Sequence, residues 1–277
     1  MPELPEVELV VQGLAQLLKG RSIRSGALYR EKLAPGVSPQ KFERTFHQRD
    51  IIAITRRGKH ILFELSGGKT LITHLRMSGT FQVLQPRHEN PKFTHAEFIL
   101  DNDDRLVFSD QRHFGYMNIV ESDELGHAPE LNKLAPEPFS SDFSRPYLAK
   151  VLKSSRRKIK EFLLDQTKVC GLGNIYASEA LYLSRVHPLK PSCEISTIKA
   201  NRLHASIIKV LSDSLDFGAG MEIDPLNLDS RYFGGDYEGE WYVYDREGLP
   251  CRRCEAPIRR IIQGSRSSYF CSRCQRK

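Results

Sequence analysis

Apolar residues recur at helical spacing at the start of the chain. Val7, Val10, Val11, Leu14, Leu17 and Leu18 share one face, so residues 4–18 are predicted to form an amphipathic helix ending at Lys19-Gly20. Pro5 suits its first turn, where a missing N–H leaves no helical bond unmade. From Ile51 to Glu121 the pattern changes to short β-rich runs: Ile51–Thr55, Ile61–Leu65, Thr70–Leu75, Phe81–Leu84, Ala96–Leu100, Arg105–Ser109 and Met117–Glu121. Separated by Gly67-Gly68 or Asp101–Asp104, they predict an antiparallel β-sandwich. A stretch holding Pro129, Pro136, Pro138 and Pro146 marks a domain boundary. Helical spacing returns over residues 147–217, with Gly171-Leu172-Gly173-Asn174 as a turn between two helices. Residues 218–248 mix Gly, Asp, Asn and Tyr without period, which predicts a long loop running into a strand around Trp241–Tyr244.

At 277 residues the chain fits two domains and a small appendage. No apolar run approaches the roughly 18 residues needed to span a bilayer, and Met1-Pro2-Glu3 lacks the basic start of a secretory signal. The expected location is therefore the cytoplasm, with the cysteines reduced or metal-bound. The formal charge of +7 is concentrated: residues 251–277 hold eight basic side chains against one acid, Glu255, and so carry the whole excess. Four thiolates on a dication would lower it by about two units. A phosphate-facing tail explains the concentration, and a merely solubilising tail is the alternative.

Cys251-x-x-Cys254 and Cys271-x-x-Cys274 stand sixteen residues apart, a spacing that suits two thiolate pairs closing a tetrahedral Zn²⁺ site, one structural ion per chain. Between them Ile261-Ile262 and Tyr269-Phe270 flank Gln263–Ser268, which reads as a β-hairpin with Arg266 near its tip. A pair of redox CxxC motifs is the competing reading, although neither pair opens a βαβ unit. Cys170 and Cys193 are expected to be isolated core thiols.

At the other end, removal of Met1 would leave Pro2 as a free secondary amine. An α-amino group titrates near 8, so a useful fraction is neutral and nucleophilic, and the positive end of a following helix favours that fraction. Attack of a secondary amine on an anomeric carbon gives an iminium ion, an electron sink for eliminating phosphate. Glu3 and Glu6 lie within one helical turn, where one carboxyl could protonate an opened sugar and another could contact a leaving base. Taken alone, Pro-Glu-x-Pro-Glu is also an ordinary helix start.

Met1-Pro2-Glu3-Leu4-Pro5-Glu6-Val7, Gly173-Asn174-Ile175-Tyr176-Ala177-Ser178-Glu179 and the four cysteines together resemble bacterial formamidopyrimidine-DNA glycosylase along the whole chain. The resemblance implies an α+β multidomain fold: an N-terminal helix with an antiparallel β-sandwich (1–135), a helix–two-turn–helix domain (136–217), a lesion-loop segment (218–248) and a zinc-ribbon hairpin (249–277). It implies Pro2 as Schiff-base nucleophile, Glu3 as acid, and Lys59 and Arg266 assisting elimination. Glu6 and His74, the wedge of Met77, Arg112 and Phe114, and the phosphate contacts Lys160 and Asn174 would serve lesion or DNA binding. The implied function is a bifunctional glycosylase and abasic-site lyase excising oxidised purines from double-stranded DNA, acting as a monomer at a bacterial nucleoid. An endonuclease VIII-like enzyme for oxidised pyrimidines and a non-catalytic zinc-ribbon DNA-binding protein are the alternatives. Leu4 argues against the first, and Pro2, Glu3 and Lys59 together against the second. Three features depart from the family pattern: Phe93 where His is usual, His113 at a position more often basic or variable, and Gly218–Asp224 in place of a Gly-Thr-rich loop.

Overall fold

The computed structural model describes residues 1–228 and 241–277. They form two compact units: Met1–Asn132 with the described residues of 218–235, and Lys133–Phe217 with the described residues of 236–277.

In the first unit, α1 (Leu4–Leu18) forms where the apolar stripe predicts it, burying Leu4, Val7, Val10, Leu14 and Leu18. The Glu3 N–H donates to Glu6 Oε2 at 2.7 Å and fixes its start. After Lys19, Gly20 turns the chain with a φ of 78° into β1 (Ser22–Leu28). Next come α2 (Pro39–Phe46), β2 (Arg49–Arg57), β3 (His60–Leu65), β4 (Lys69–His74), β5 (Gly79–Leu84), β6 (Thr94–Leu100), β7 (Arg105–Asp110) and β8 (Tyr116–Glu121). Every strand expected between 51 and 121 is present, while β1 and α2 lie outside the elements the pattern predicted. Gly26 lies within β1, where a Cβ would stand 2.9 Å from Phe46 Cβ. α2 buries only Phe42 and Phe46, whose rings pack at 4.5 Å.

The sandwich is one antiparallel sheet of order β5-β7-β6-β1-β2-β3-β4-β8, bent on itself. β1 and β2 pair only at Ser22↔Asp50 and Ile23↔Arg49, next to register shifts between Ile23 and Ser25 and between Ile51 and Ala53. Bulges at such points let a sheet turn a corner. Across that corner Phe63 of β3 meets Phe81 of β5 at 5.5 Å, and Phe81 meets Phe108 of β7 at 5.1 Å. Residues 225–228 then run along the edge of β5: Val83 N–H donates to Pro225 O at 2.8 Å, and Leu228 bridges to Phe81. Residues 229–240 of the expected lesion-loop segment lie outside the described residues.

The second unit holds α3 (Arg145–Lys153), α4 (Ile159–Leu163), α5 (Asn174–Leu183) and α6 (Thr197–Gly218), then the hairpin β9 (Ile258–Gln263) and β10 (Arg266–Cys271). One side-chain amide shapes the turn between α4 and α5: Gln166 Oε1 accepts from Gly171 N–H at 3.0 Å while its Nε2 donates to Leu172 O at 2.9 Å. The hairpin is fastened to the helices by buried Gln275, whose Nε2 donates to Val186 O at 2.9 Å and whose Oε1 accepts from Cys271 N–H at 2.9 Å. Cys170 is buried as expected, but Cys193 is only half-buried.

The strand expected around Trp241–Tyr244 does not form. Its β-rich composition is real, but its donors find a different acceptor: the N–H groups of Tyr242, Val243 and Tyr244 converge on the Glu179 carboxylate at 2.8, 2.9 and 2.8 Å. Burial pushes that carboxyl above its ordinary value, opposed by the three N–H groups and by Arg252. Glu179→Ala would strand these donors and is expected to destabilise the protein by at least about 3 kcal/mol, with Glu179→Gln intermediate because one amide oxygen remains. Urea melts of the three proteins measure this, and equal midpoints would remove the clamp from the account.

Candidate functional site

The expected chemistry at the chain start rests on the first unit alone. Pro2, Glu3 and Glu6 are buried at the N-terminal end of α1, whereas Met1 is 49% exposed. Lys59, only 5% exposed, sits with Gly58 in the two-residue turn between β2 and β3, closed by the pair Arg57↔His60. Gly58 adopts a φ of 59°, the conformation this first turn position demands. What ties turn to helix is Arg56, a residue that the sequence analysis does not single out. Its Nε donates to Glu8 Oε2 at 2.7 Å and its guanidinium to Gly58 O at 3.0 Å. The Arg56 side chain is 9% exposed and that of Glu8 26%, so the pair is partly shielded from water.

His74 lies at the end of β4, its ring edge-on to His60 at 4.7 Å, and its Nδ1 accepts from Arg76 N–H at 2.9 Å. Burial, then the charges of His60, Arg76 and Lys59, drive its pKa down to about 2, and burial drives His60 to about 4. Both rings are therefore neutral at working pH, and His74 is left with a hydrogen on Nε2 to donate.

Met77, Arg112 and Phe114 come from two loops. Met77 is 45% and Phe114 58% exposed, and the Arg112 guanidinium lies 5.5 Å from the Phe114 ring centre. The two loops are held by Asp110, which is buried and which the sequence reading did not single out. Its carboxylate accepts from Ser78 Oγ at 2.5 Å, from Arg112 N–H at 3.1 Å and from Gly115 N–H at 2.6 Å. Burial alone would raise this carboxyl; the donors Ser78, Gly115, Arg112 and Phe114 outweigh it and hold the group below its ordinary range. Gly79 and Gly115 are needed for the close approach, since a Cβ would fall 2.5 Å from Leu75 O at the first and 2.7 Å from Phe108 Cζ at the second.

In the second unit, Asn174 is the first residue of α5, after the N-cap Gly173, and its buried Oδ1 has no hydrogen-bond partner among the described residues. Arg266 is exposed beside the Gly264-Ser265 turn, as the hairpin reading predicts. Lys160, expected to face phosphate, is 1% exposed and donates from Nζ to Ser267 O at 2.7 Å, which ties α4 to the hairpin.

The four Sγ atoms of Cys251, Cys254, Cys271 and Cys274 lie within 4.8 Å of one another. Tetrahedral Zn²⁺ with bonds near 2.3 Å separates its sulfurs by about 3.8 Å. Cys251–Cys274, Cys254–Cys271 and Cys254–Cys274 stand at 3.9, 3.5 and 3.4 Å. The Arg253 and Cys274 N–H groups each donate to a cysteine sulfur at 3.4 Å, as thiolate ligands require. The donor set fits one structural zinc.

Comparison with known proteins agrees along the chain. The Formamidopyrimidine-DNA glycosylase N-terminal domain model matches residues 1–117, the corresponding H2TH domain model residues 134–224, and the zinc finger found in FPG and IleRS residues 248–276. The formamidopyrimidine-DNA glycosylase of Desulforamulus reducens is 41% identical over 281 residues, covering 100% of this chain and 99% of the relative. Wild-type Fpg of Lactococcus lactis has been solved with DNA containing N7-benzyl-Fapy-dG; the similarity has a TM-score of 0.90 at 33% identity and covers 100% of both chains. The same Lactococcus lactis protein solved with DNA containing an oxidised pyrimidine gives 0.90 at 32% identity, again over 100% of both chains.

Two outcomes test this geometry. Asp110→Asn is expected to speed hydrogen exchange at the Arg112 and Gly115 amides roughly ten- to a hundred-fold, through loss of charged acceptors; unchanged exchange would show that the carboxylate does not hold the loops. Removing metal with a chelator should abolish protection over Ile258–Cys271 while β2–β8 stay protected. Persistent protection of the hairpin would mean it folds without the ion.

Proposed function

The chain belongs to the formamidopyrimidine-DNA glycosylase family, and on that premise we propose how its own residues divide the work of a base-excision-repair glycosylase with abasic-site lyase activity. The observation that carries the proposal is the packing of one end of the first unit: Pro2 and Glu3 buried at the start of α1, and Arg56 joining Glu8 of that helix to the turn that presents Lys59. Nucleophile, acid and cation thereby belong to one rigid body.

With Met1 removed, the Pro2 nitrogen attacks C1′ of the damaged nucleoside and the base departs. Glu3 protonates the opening sugar oxygen, giving an iminium ion. Its electron-withdrawing nitrogen acidifies the neighbouring carbon, so the 3′ and then the 5′ phosphate are eliminated. Lys59 and Arg266 stabilise the departing phosphates, and His74 contributes its Nε2–H while remaining neutral. Glu6 is committed to the Glu3 N–H and acts first in shaping the helix start. Met77, Arg112 and Phe114 fill the gap left by the flipped base, an insertion that offsets unstacking of about a few kcal/mol. Asn174, at the N-terminus of α5, suits a backbone phosphate. Lys160 positions the hairpin rather than touching DNA. The zinc ion supplies the fold of the ribbon and takes no part in the chemistry.

The substrate is double-stranded DNA carrying oxidised purines, and the protein acts as a monomer in the bacterial cytoplasm. Among the described residues no helix is long and apolar enough to cross a membrane. Duplexes with 8-oxoguanine, thymine glycol or an abasic site, incubated with borohydride, separate the readings. Trapping on 8-oxoguanine and abasic DNA is expected; a preference for thymine glycol would favour pyrimidine repair, and no adduct on any duplex would leave only binding. Pro2→Gly should reduce excision at least about a hundred-fold while DNA affinity stays within about three-fold, because the phosphate contacts are untouched. Excision at the wild-type rate by this variant would refute the assignment of the nucleophile.

A further inference from the structure

The loop that carries Arg112 and Phe114 holds a contact between two histidines that the chemistry above does not use. His95 Nε2 lies 3.0 Å from Asp110 O and 2.9 Å from His113 Nδ1. A carbonyl oxygen only accepts, so Nε2 carries the hydrogen, and the His113 Nδ1 facing it must present a lone pair. That lone pair exists only while His113 is neutral and protonated on its other nitrogen. His95 itself is buried, and burial first, then His113 and Arg30, keep its imidazole below its ordinary value against the opposing hydrogen bond to Asp110.

The seat is built around this contact. His113 takes a φ of 61° and Phe93 a φ of 66°; the Phe93 ring meets His113 edge-on at 5.4 Å, and Phe93 O accepts from Asp110 N–H at 3.1 Å. The charged groups around it are Lys92, which lies 5.0 Å from the Phe93 ring centre, Arg30 facing His95, Arg112 on the same loop, and Asp110, whose carboxylate is engaged by Ser78 and Gly115. Phe93 and His113 thus pack on each other.

Resting on the wedge assignment above, we propose that His113 is a positioning residue of the wedge: its imidazole accepts a hydrogen bond from His95 and holds the Arg112–Phe114 segment ready to insert.

The test uses duplexes with a tetrahydrofuran abasic analogue and 2-aminopurine beside it, at saturating protein, so that fluorescence reports unstacking without bond cleavage. His113→Asn keeps an acceptor and tolerates positive φ, so its insertion equilibrium should stay within about two-fold of wild type. His113→Lys offers donors only and should insert about five-fold more weakly, the worth of one net hydrogen bond. Insertion by H113N as weak as by H113K, or full insertion by H113K, overturns the proposal. Phe114→Ala tells the two readings apart: a signal unchanged by F114A removes the wedge itself, whereas a signal lowered by F114A with H113K inserting like wild type removes only the role of His113.

Discussion

Backbone that follows neither helix nor strand must still satisfy its N–H groups where water is excluded. In each unit of this protein a buried carboxylate does so. Asp110 gathers the donors of the 110–115 loop together with Ser78, and Glu179 gathers three consecutive N–H groups ahead of the zinc ribbon. Both acids hold irregular segments in one conformation, and those segments carry or adjoin the side chains assigned to DNA. A carboxylate suits the task because it accepts from several directions at once without offering a donor of its own.

The reactive end of the molecule depends on a related economy. A proline amine and a glutamate at the first turn of a helix are mobile by default, and a lysine in a hairpin turn more so. Burial of all three, with Arg56 spanning helix and turn, replaces that freedom with fixed geometry. The neutral histidines beside Lys59 add donors without adding positive charge, so the lysine keeps its electrostatic prominence.

Long periodic segments were legible in the sequence: α1, the strands from β2 to β8 and the cysteine hairpin all lie where spacing put them. β1 escaped because Gly26 and polar residues dilute its alternation, although its neighbour α2 left a signal in Ser38-Pro39 followed by Phe42 and Phe46 four apart; the Ser38 Oγ caps that helix by accepting from Lys41 N–H at 3.2 Å. Trp241–Tyr244 has the composition of a strand, but composition does not reveal which acceptor a backbone will find. Among site residues, the expected ones came from motifs, whereas Arg56 and Asp110 owe their place to partners distant in sequence, Glu8 and Ser78, that no motif announces. Lys160 shows the converse, a basic residue in a basic stretch whose charge points inward.

The chain along β5 bears on how the molecule lives among others. An eight-stranded sheet that does not close has two rims, and an unpaired rim is a template on which foreign strands can assemble. Residues 225–228 cover part of one rim with the protein's own backbone. The segment returning from the helices thus shields that side against stacking with neighbours, a safeguard whose value rises with crowding and with every round of synthesis.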